Sequence, residues 1–506
     1  MKNHVECFLG FSSFGEYSLA KMFVVVAAVW VAGVVGGMMD KARGNEPSRP
    51  NFIFLIVDDV SAEDLGCYGN QAIQTPNLNR LASEGMVFEN AYLTISSCSP
   101  SRCSIITGRY PHNTGAPELH TNLPADQFRF PAALTAAGYY TVRSGKHHGE
   151  QSNDSFAVTE AGKGPGQMGT WVELLRDRPR NQPFFFWLAS TDAHRGWSKS
   201  EGIPKYNPAD VVVPPYLVDG AATRKDLADY YHEVSRTDDM VGQLMAELER
   251  QGVIENTYFI YCADNGRPFP RCKTFLFDDG IKTPLIVSRP GTVKPARTIS
   301  LVSSIDFAPT ILELAALEID QRVQGVSFGP ILDDQIATTR DVVFAEHNWH
   351  VFQNHERMVR SGEFAYIRNA WPERQVLCSE TTATFPAGIE LWDAHEAGSL
   401  NAVQLRLFDL PQPAEQLFDL TSDPDQTNNL AASPQHVTKL QEMRELLDRW
   451  DAETGDSIPA NPSTDRYNTT RYKEGVPPSN PDFHVGEFPG ASQNATSNNH
   501  PGPIRK

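Results

Sequence analysis

The chain has 506 residues, of which 40% are hydrophobic and 10% aromatic, an ordinary composition for a globular enzyme with one large and one smaller domain. Its formal net charge of -18 argues against nucleic acid as a partner, although a local basic cleft could still bind a small anion. The seven cysteines are scattered without a paired CxxC spacing, so the sequence indicates neither a disulfide framework nor structural zinc.

The N-terminus carries an apolar run, Met22–Met39, which follows Lys2 and Lys21 and contains no charged residue. Its length lies between that of a signal-peptide core and that of a membrane span. No clear AxA cleavage site follows, so a signal peptide and an uncleaved membrane anchor both stay open. Translation beginning nearer Met22 would explain the long polar stretch before Lys21. We predict a signal peptide or anchor with a linker over 1–49, and an exported (periplasmic, extracellular or lumenal) catalytic part.

Residues 50–340 alternate between predicted strands and helices. Strands are predicted over 52–57, 139–142, 184–189 and 258–263. Helices are predicted from the Thr75-Pro76 pair to Gly85, over 131–138 and over 224–252. Three of the strands are continuous apolar runs, as is typical of strands buried on both faces of a parallel sheet. The alternation therefore predicts an α/β catalytic domain with a mostly parallel central sheet.

After residue 340, the alternation of predicted strands and helices gives way to a series of short strands. Short strands are predicted over 342–345, 357–360, 364–367 and 416–418, followed by an amphipathic helix over about 436–450. We interpret residues 341–455 as a smaller α+β domain with an antiparallel sheet. Residues 456–506 are rich in Pro, Asn, Ser and Gly without an apolar period, which predicts a disordered or loosely held tail.

Polar side chains follow three of the predicted strands. Asp58 and Asp59 follow the strand at 52–57, His194 comes shortly after the strand at 184–189, and Asp264 and Asn265 follow the strand at 258–263. Taken singly, such residues are more often turns or helix caps. Parallel strands bring their carboxyl ends together at one edge of a sheet, and hard oxygen ligands suit Ca²⁺ or Mg²⁺. The set therefore favours a divalent metal site.

The stretch from Ser97 to Arg109 predicts a tight loop that feeds a helix ending at Gly108. Cys98 then lies at the helix N-terminus, where a nucleophile and an anion both gain from unpaired N–H groups. Arg102, one turn later, could bind two oxygens of an oxyanion. A small buried thiol beside a surface arginine is the alternative, and the spacing leaves it open.

The pattern CxPSR followed by TG, read from Cys98 to Gly108, resembles the signature of the formylglycine-dependent sulfatases. The resemblance implies an alkaline-phosphatase-like fold and conversion of Cys98 to formylglycine by a maturation enzyme. It also implies one divalent metal, most simply Ca²⁺. The implied metal ligands are Asp58, Asp59, Asp264, Asn265 and the formylglycine at position 98.

Further elements match the same family. Lys146 and His148 stand in a sequence that resembles the family's GKxH element, His194 matches its histidine near the leaving group, and Lys273 falls at its second sulfate-binding base. The resemblance implies that Arg102, Lys146 and Lys273 hold the sulfuryl oxygens. His194 would donate a proton to the leaving atom, and His148 would act as a base when sulfate is expelled. The alternatives are surface lysines and structural histidines.

Within the family, Ser96–Arg102 and Asp264–Pro270 look most like the sulfamidases that act on N-sulfoglucosamine of heparan type, except that Lys273 stands where those enzymes have arginine. An O-sulfatase on another sulfated polysaccharide, a phosphatase or phosphonate hydrolase of the same superfamily, and an inactive carbohydrate-binding homologue are the alternatives. We predict a saccharide pocket that includes Arg267 beside the metal site and Glu346 and His347 from the second domain.

Overall fold

The computed structural model describes residues 49–148, 155–160, 169–378, 385–468 and 478–505. The apolar run predicted as a signal peptide or membrane anchor lies outside these residues. Within them, no helix has both the length and the apolar character needed to span a bilayer.

An eight-stranded sheet forms the centre of the chain. Its strands are β1 (Asn51–Val57), β2 (Gly85–Tyr92), β3 (Tyr140–Gly145), β4 (Val158–Glu160), β5 (Phe184–Ala189), β6 (Thr257–Ala263), β7 (Leu285–Ser288) and β8 (Ala296–Ser303). They lie in the order β4-β3-β5-β1-β6-β7-β2-β8. β7 runs antiparallel to both of its neighbours, and the other pairs are parallel. The predicted α/β class with a mixed, mostly parallel sheet is confirmed.

Helices cover both faces of this sheet and continue along the chain beyond its last strand. They are α1 (Pro76–Ser83), α2 (Cys98–Thr107), α3 (Pro111–Thr114), α4 (Phe130–Ala136), α5 (Gly169–Asp177), α6 (Ala221–Arg250), α7 (Asp278–Ile281), α8 (Phe307–Leu314), α9 (Gly329–Asp333), α10 (Pro386–Glu396), α11 (Ala402–Leu405) and α12 (Val437–Thr454). Alternate residues of β1 belong to different cores: Leu55 packs with the α6 side, and Phe54 packs with the α8 side. Burial of both faces explains why these strands are apolar throughout.

A second sheet is built from β9 (Val342–His347), β10 (Glu356–Ser361), β11 (Phe364–Asn369) and β12 (Glu415–Asp419). Its order is β12-β11-β10-β9 and every pair is antiparallel, as predicted. α12 packs against it, and the rings of Phe344 and Trp450 stack with centroids 5.1 Å apart. The backbone N–H of Glu346 donates to Thr94 O at 2.8 Å, which attaches β9 to the segment just before α2.

The C-terminal segment differs from the disordered tail predicted for it. In its described part, the guanidinium of Arg109, buried at the end of α2, donates to Thr496 O, Asn498 O and Asn499 Oδ1 at 3.1, 2.9 and 2.7 Å. Gln324 Nε2 donates to His500 O at 2.7 Å. The prediction failed because polar contacts to buried donors, rather than an apolar period, hold this segment in place.

The same segment also supports a buried carboxyl group. Ser463 Oγ donates to Glu118 Oε2 at 2.6 Å, and burial raises the pKa of Glu118 to about 7. The folded pKa thus lies above the ordinary value of 4.5, so the native state binds more protons than the unfolded chain between these two values. The stability contributed by this group therefore falls as the pH rises through that window.

Replacing Glu118 by Gln should remove this pH-dependent loss while keeping an oxygen that accepts from Ser463. At pH 8 we expect the free energy of unfolding to rise by about 1–3 kcal/mol, and near pH 4 we expect little difference. Denaturant unfolding at the two pH values measures both effects. Glu255→Gln, at an exposed position, is the control and should change neither value. An E118Q variant as sensitive to pH as the wild type over this range would refute the assignment.

Candidate active site

Four acidic and amide side chains meet at the carboxyl ends of two neighbouring strands. Val57 of β1 lies opposite Ala263 of β6, so the next residues of the two strands, Asp58-Asp59 and Asp264-Asn265, come together. Asn265 Nδ2 donates to Asp59 Oδ1 at 2.5 Å, and the backbone N–H of Asp59 donates to Asp264 Oδ1 at 3.3 Å. All four side chains are buried.

Helix α2 brings Cys98 to this cluster. Ser97 is its N-cap, Cys98 its first residue, and Gly108 ends it with a φ of 67°, a value that glycine adopts without strain. Cys98 Sγ lies 3.7 Å from Asp58 Oδ1. Arg102 Nε donates to Asp264 Oδ2 at 2.8 Å, and its side chain is fully buried. Arg102 is therefore not the surface arginine of the alternative interpretation.

Two lysines complete the charge balance of the cluster. Lys146 follows β3 and forms an ion pair with Asp58, and Lys273 Nζ lies 3.0 Å from Asp59 Oδ1. Burial opposes the charge of Lys146, but Asp58, Cys98 and Asp264 together outweigh it and raise the pKa of the lysine. For the carboxyl group of Asp264, burial raises the pKa, and the positive charge of Arg102 partly offsets this rise. Three carboxylates and three cations thus surround Cys98.

The donor set fits a hard divalent cation. Ligand atoms of Asp58, Cys98 and Asp264 all lie within 4.8 Å of one another. Asn265 Oδ1 is buried and has no hydrogen-bond partner within the described part of the chain. A buried acceptor oxygen without a donor, adjacent to carboxylates, is the arrangement that a Ca²⁺-type ion satisfies.

A cavity of about 560 Å³ opens beside this cluster. Cys98, Lys146 and Lys273 line it together with His148 and His194. His148 Nε2 lies 2.7 Å from His120 Nδ1, and burial, followed by the charge of Lys146, lowers the pKa of His148 to about 2. His148 is therefore a neutral imidazole at physiological pH.

Three residues predicted to line the saccharide pocket lie elsewhere and are engaged in other pairs. Arg267 pairs with Asp64 and Asp279 at 3.1 and 2.6 Å. Glu346 Oε1 lies 2.6 Å from His112 Nδ1, and His347 Nδ1 lies 2.8 Å from Glu356 Oε2. None of the three lines the cavity beside Cys98. Arg267 was predicted because it lies beside Asp264-Asn265 in the sequence, and Glu346 and His347 because they follow a predicted strand. Long-range partners hold the side chains of all three instead.

One residue of the stretch predicted to reach over the site, Glu346–His350, does line the cavity. This residue is His350, whose Nδ1 lies 2.7 Å from the hydroxyl of Ser97, the N-cap of α2. Asp192, Glu233 and Arg236 also line the cavity and were not predicted. Burial, followed by the charge of Glu233, raises the pKa of Asp192 to about 8. Asp192 lies in the Thr191–His194 segment that pointed to His194, whereas nothing in the helical pattern of α6 distinguishes its polar residues as cavity-lining.

The comparisons with known proteins agree with this fold. A model of the sulfatase family matches residues 50–164 and 168–317. The chain therefore belongs to the sulfatase family, and it is a sulfatase. A second model, that of the C-terminal part of N-sulphoglucosamine sulphohydrolase, matches residues 271–368.

Individual relatives fall in the same family. An ulvan-active sulfatase of Formosa agariphila is 30% identical over 464 residues, which cover 81% of this chain and 76% of that protein. The human N-sulphoglucosamine sulphohydrolase is 35% identical over 305 residues, 53% of this chain and 61% of that protein. A solved structure in complex with its substrate D-glucosamine-2-N,6-O-disulfate matches with a TM-score of 0.63 at 20% identity, over 80% of this chain and 98% of the other. This last likeness shows the shared fold.

Proposed function

We propose that the protein releases sulfate from a sulfated saccharide, using formylglycine made from Cys98 and one divalent cation, Ca²⁺ in the simplest case. The observation that carries the proposal is the position of Cys98 Sγ, 3.7 Å from Asp58 within a buried cluster that also holds Arg102, Lys146 and Lys273. Asp58, Asp59, Asp264, Asn265 and the modified residue 98 would hold the cation.

The surroundings of Cys98 support its modification. Burial raises the pKa of the Cys98 thiol well above its ordinary value, even though Lys146 and Lys273 act in the other direction. The unmodified side chain therefore stays a protonated thiol at neutral pH and is a poor nucleophile. Formylglycine supplies a hydrated aldehyde, of which one hydroxyl attacks sulfur and the other makes release of sulfate possible.

Two of the three cations face the cavity. Lys146 and Lys273 line it and would hold the sulfuryl oxygens, while Arg102, one turn into α2, is buried against Asp264 and would add positive charge from behind them. Pre-positioned cations of this kind stabilise charge as it redistributes in the transition state. A cation bound by the acidic cluster would add Lewis acidity and lower the pKa of the nucleophile.

Two histidines would move protons in the proposed reaction. His194 lines the cavity, and its Nδ1 lies 2.5 Å from the carbonyl oxygen of Arg195, which leaves Nε2 as the nitrogen for protonating the leaving atom. His148 lines the same cavity, and we assign to it the proton that is released when sulfate is expelled.

The choice of substrate rests on the C-terminal match. The model for N-sulphoglucosamine sulphohydrolase covers residues 271–368, which include Lys273 and β9–β11. We therefore propose N-sulfoglucosamine as the substrate. O-linked sulfate on another polysaccharide is the second candidate, because the ulvan-active sulfatase matches over 76% of its own length.

Processing and location follow from the same proposal. We propose that residues 50–340 carry the catalytic machinery and that residues 341–455 form the smaller domain that covers it. A maturation enzyme must oxidise Cys98. Export across the bacterial inner membrane, or across the membrane of the endoplasmic reticulum, would bring the enzyme to extracellular saccharides. The N-terminal segment would supply the export signal.

A panel of four substrates tests the activity. We expect sulfate release from an aryl sulfate and from N-sulfoglucosamine, no phosphate release from an aryl phosphate, and a kcat/KM for N-sulfoglucosamine at least about tenfold above that for glucosamine 6-sulfate. The reverse preference between the two sugars would favour the O-sulfatase candidate. Turnover of aryl phosphate alone would refute the sulfatase mechanism.

A further inference from the structure

A second cavity, of about 190 Å³, is lined both by the segment that carries Lys273 and by the second sheet. From that segment, Arg271 and Phe275–Phe277 contribute to the lining. Strands β10–β12 and residues 403–413 contribute further side chains. Arg406 and Asp409 are among these and are exposed, so the cavity opens to solvent. None of the described residues lines both this cavity and the one beside Cys98.

The apolar part of this lining includes three phenylalanine rings. The centroid of the Phe277 ring lies 6.0 Å from that of Phe275 and 5.9 Å from that of Phe418. The guanidinium of Arg271 lies 3.7 Å from the Phe277 centroid and donates to two backbone carbonyl oxygens, so it is engaged within the lining. An apolar cavity of about 150 Å³ takes up benzene. The volume found here therefore suits a benzene ring that carries a small substituent.

Gln426 supplies this cavity with an unpaired donor. The residue lines the cavity and is only 2% exposed. Its Oε1 accepts from the backbone N–H of Asp278 at 2.6 Å, whereas its Nε2 has no hydrogen-bond partner within the described part of the chain. A buried N–H donor without an acceptor costs free energy, and an oxygen of a bound molecule would remove that cost.

Glu356 supplies the same cavity with an acceptor. It is the first residue of β10, it is buried, and it lines the cavity. Its Oε2 lies 2.8 Å from His347 Nδ1, while its Oε1 forms no hydrogen bond to any residue that the structure describes. A carboxyl oxygen can accept from an N–H group whether or not the carboxyl is ionised. The cavity thus offers one donor and one acceptor beside its apolar side chains.

We propose that this cavity binds a small aromatic carboxamide. The aromatic ring would lie among the phenylalanines, the carboxamide oxygen would accept from Gln426 Nε2, and the carboxamide N–H would donate to Glu356. A carboxamide carries an acceptor and a donor on one carbon, so a single group pairs both polar side chains. The site is separate from the cavity beside Cys98, and its occupant is not a substrate of the sulfatase reaction.

Titration of the purified full-length protein with benzamide, followed by calorimetry, tests the proposal. We expect saturable binding of one molecule per chain, with a dissociation constant of about 1 mM or lower for a ligand of this size. Benzoate has nearly the same shape but no N–H group for Glu356. It should bind at least about tenfold more weakly than benzamide.

Two variants locate the binding in this cavity. Val403→Phe, at a lining position on α11, adds a ring where the ligand would lie and should weaken benzamide binding at least about tenfold. Leu405→Phe is the matched control, because it adds the same ring on the same helix at an exposed position that does not line the cavity. It should leave the affinity within about twofold.

Gln426→Met removes the donor while keeping a side chain of similar length, and it should weaken benzamide binding about tenfold. A cooperative thermal unfolding transition shows that each variant is folded before its affinity is measured. Absence of saturable benzamide binding to the wild type would mean that the cavity holds only water, and it would overturn the proposal. Benzoate binding as tight as that of benzamide, or full affinity in the Val403→Phe variant, would overturn it as well.

Discussion

Replacing Cys98 by Ala should lower kcat for aryl sulfate hydrolysis by about 10⁴-fold or more, because the variant lacks the side chain from which the nucleophile is made. Arg102, Lys146 and Lys273 would still bind the sulfate, so KM should change far less than kcat. Initial rates of sulfate release measure both values. The geometry behind this expectation is the 3.7 Å separation of Cys98 Sγ from Asp58 Oδ1 in a buried cluster.

Cys103 offers a matched control for that variant. It lies on the same helix, is equally buried, and packs in the apolar core on one face of the sheet. Cys103→Ala should therefore cost some stability but leave kcat within a few-fold of the wild type. A Cys98→Ala enzyme that turned over at the rate of the Cys103→Ala enzyme would contradict the assignment of the nucleophile.

Removal of divalent metal should have the second largest effect. Chelation is expected to lower kcat/KM by about 10³-fold, since the sulfuryl group then loses its strongest source of positive charge. The midpoint of thermal unfolding should fall as well, because Asp58, Asp59 and Asp264 remain buried without the ion. Added Ca²⁺ should restore both, and the measurement is a titration of activity and of thermal stability with CaCl₂.

Asn265 gives this prediction a residue-level test. Its buried Oδ1, which has no partner within the described residues, is the oxygen that a cation would take. Asn265→Leu should raise the Ca²⁺ concentration needed for half-maximal stabilisation by about 10- to 100-fold, whereas Asn265→Asp, which keeps an oxygen, should raise it much less. Equal calcium dependence of both variants and the wild type would remove Asn265 from the site.

Much of the central sheet was predictable because the burial of its strands is uniform. The apolar runs at 52–57, 184–189 and 258–263 correspond to β1, β5 and β6, which agree with the prediction to within one residue at each end. β2 and β8 escaped prediction because they lie towards the edge of the sheet, where the polar residues Glu89, Asn90 and Arg297 are partly or fully exposed and break the apolar pattern. β7, with four residues, is too short to show a period.

The part of the site built on strand ends and on the start of α2 was predictable for a similar reason. Asp58, Asp264 and Cys98 meet because parallel strands end at one edge and a helix begins there. The wall of the cavity formed by Asp192, Glu233 and Arg236 was not predictable, because pairs of side chains distant in sequence determine it. Glu346 pairs with His112, and His347 pairs with Glu356. Arg236 of α6 forms an ion pair with Asp192, which follows β5. Such pairs leave no periodic signal in the sequence.

The central claim is that residue 98 of the active enzyme is no longer a cysteine. Mass spectrometry of the proteolytic peptide spanning residue 98, taken from the same preparation whose sulfate release has been measured, tests it directly. The expected result is a peptide with the mass of formylglycine at position 98, in a fraction that rises and falls with specific activity across preparations. A fully active preparation in which that peptide carries only the free thiol would contradict the claim.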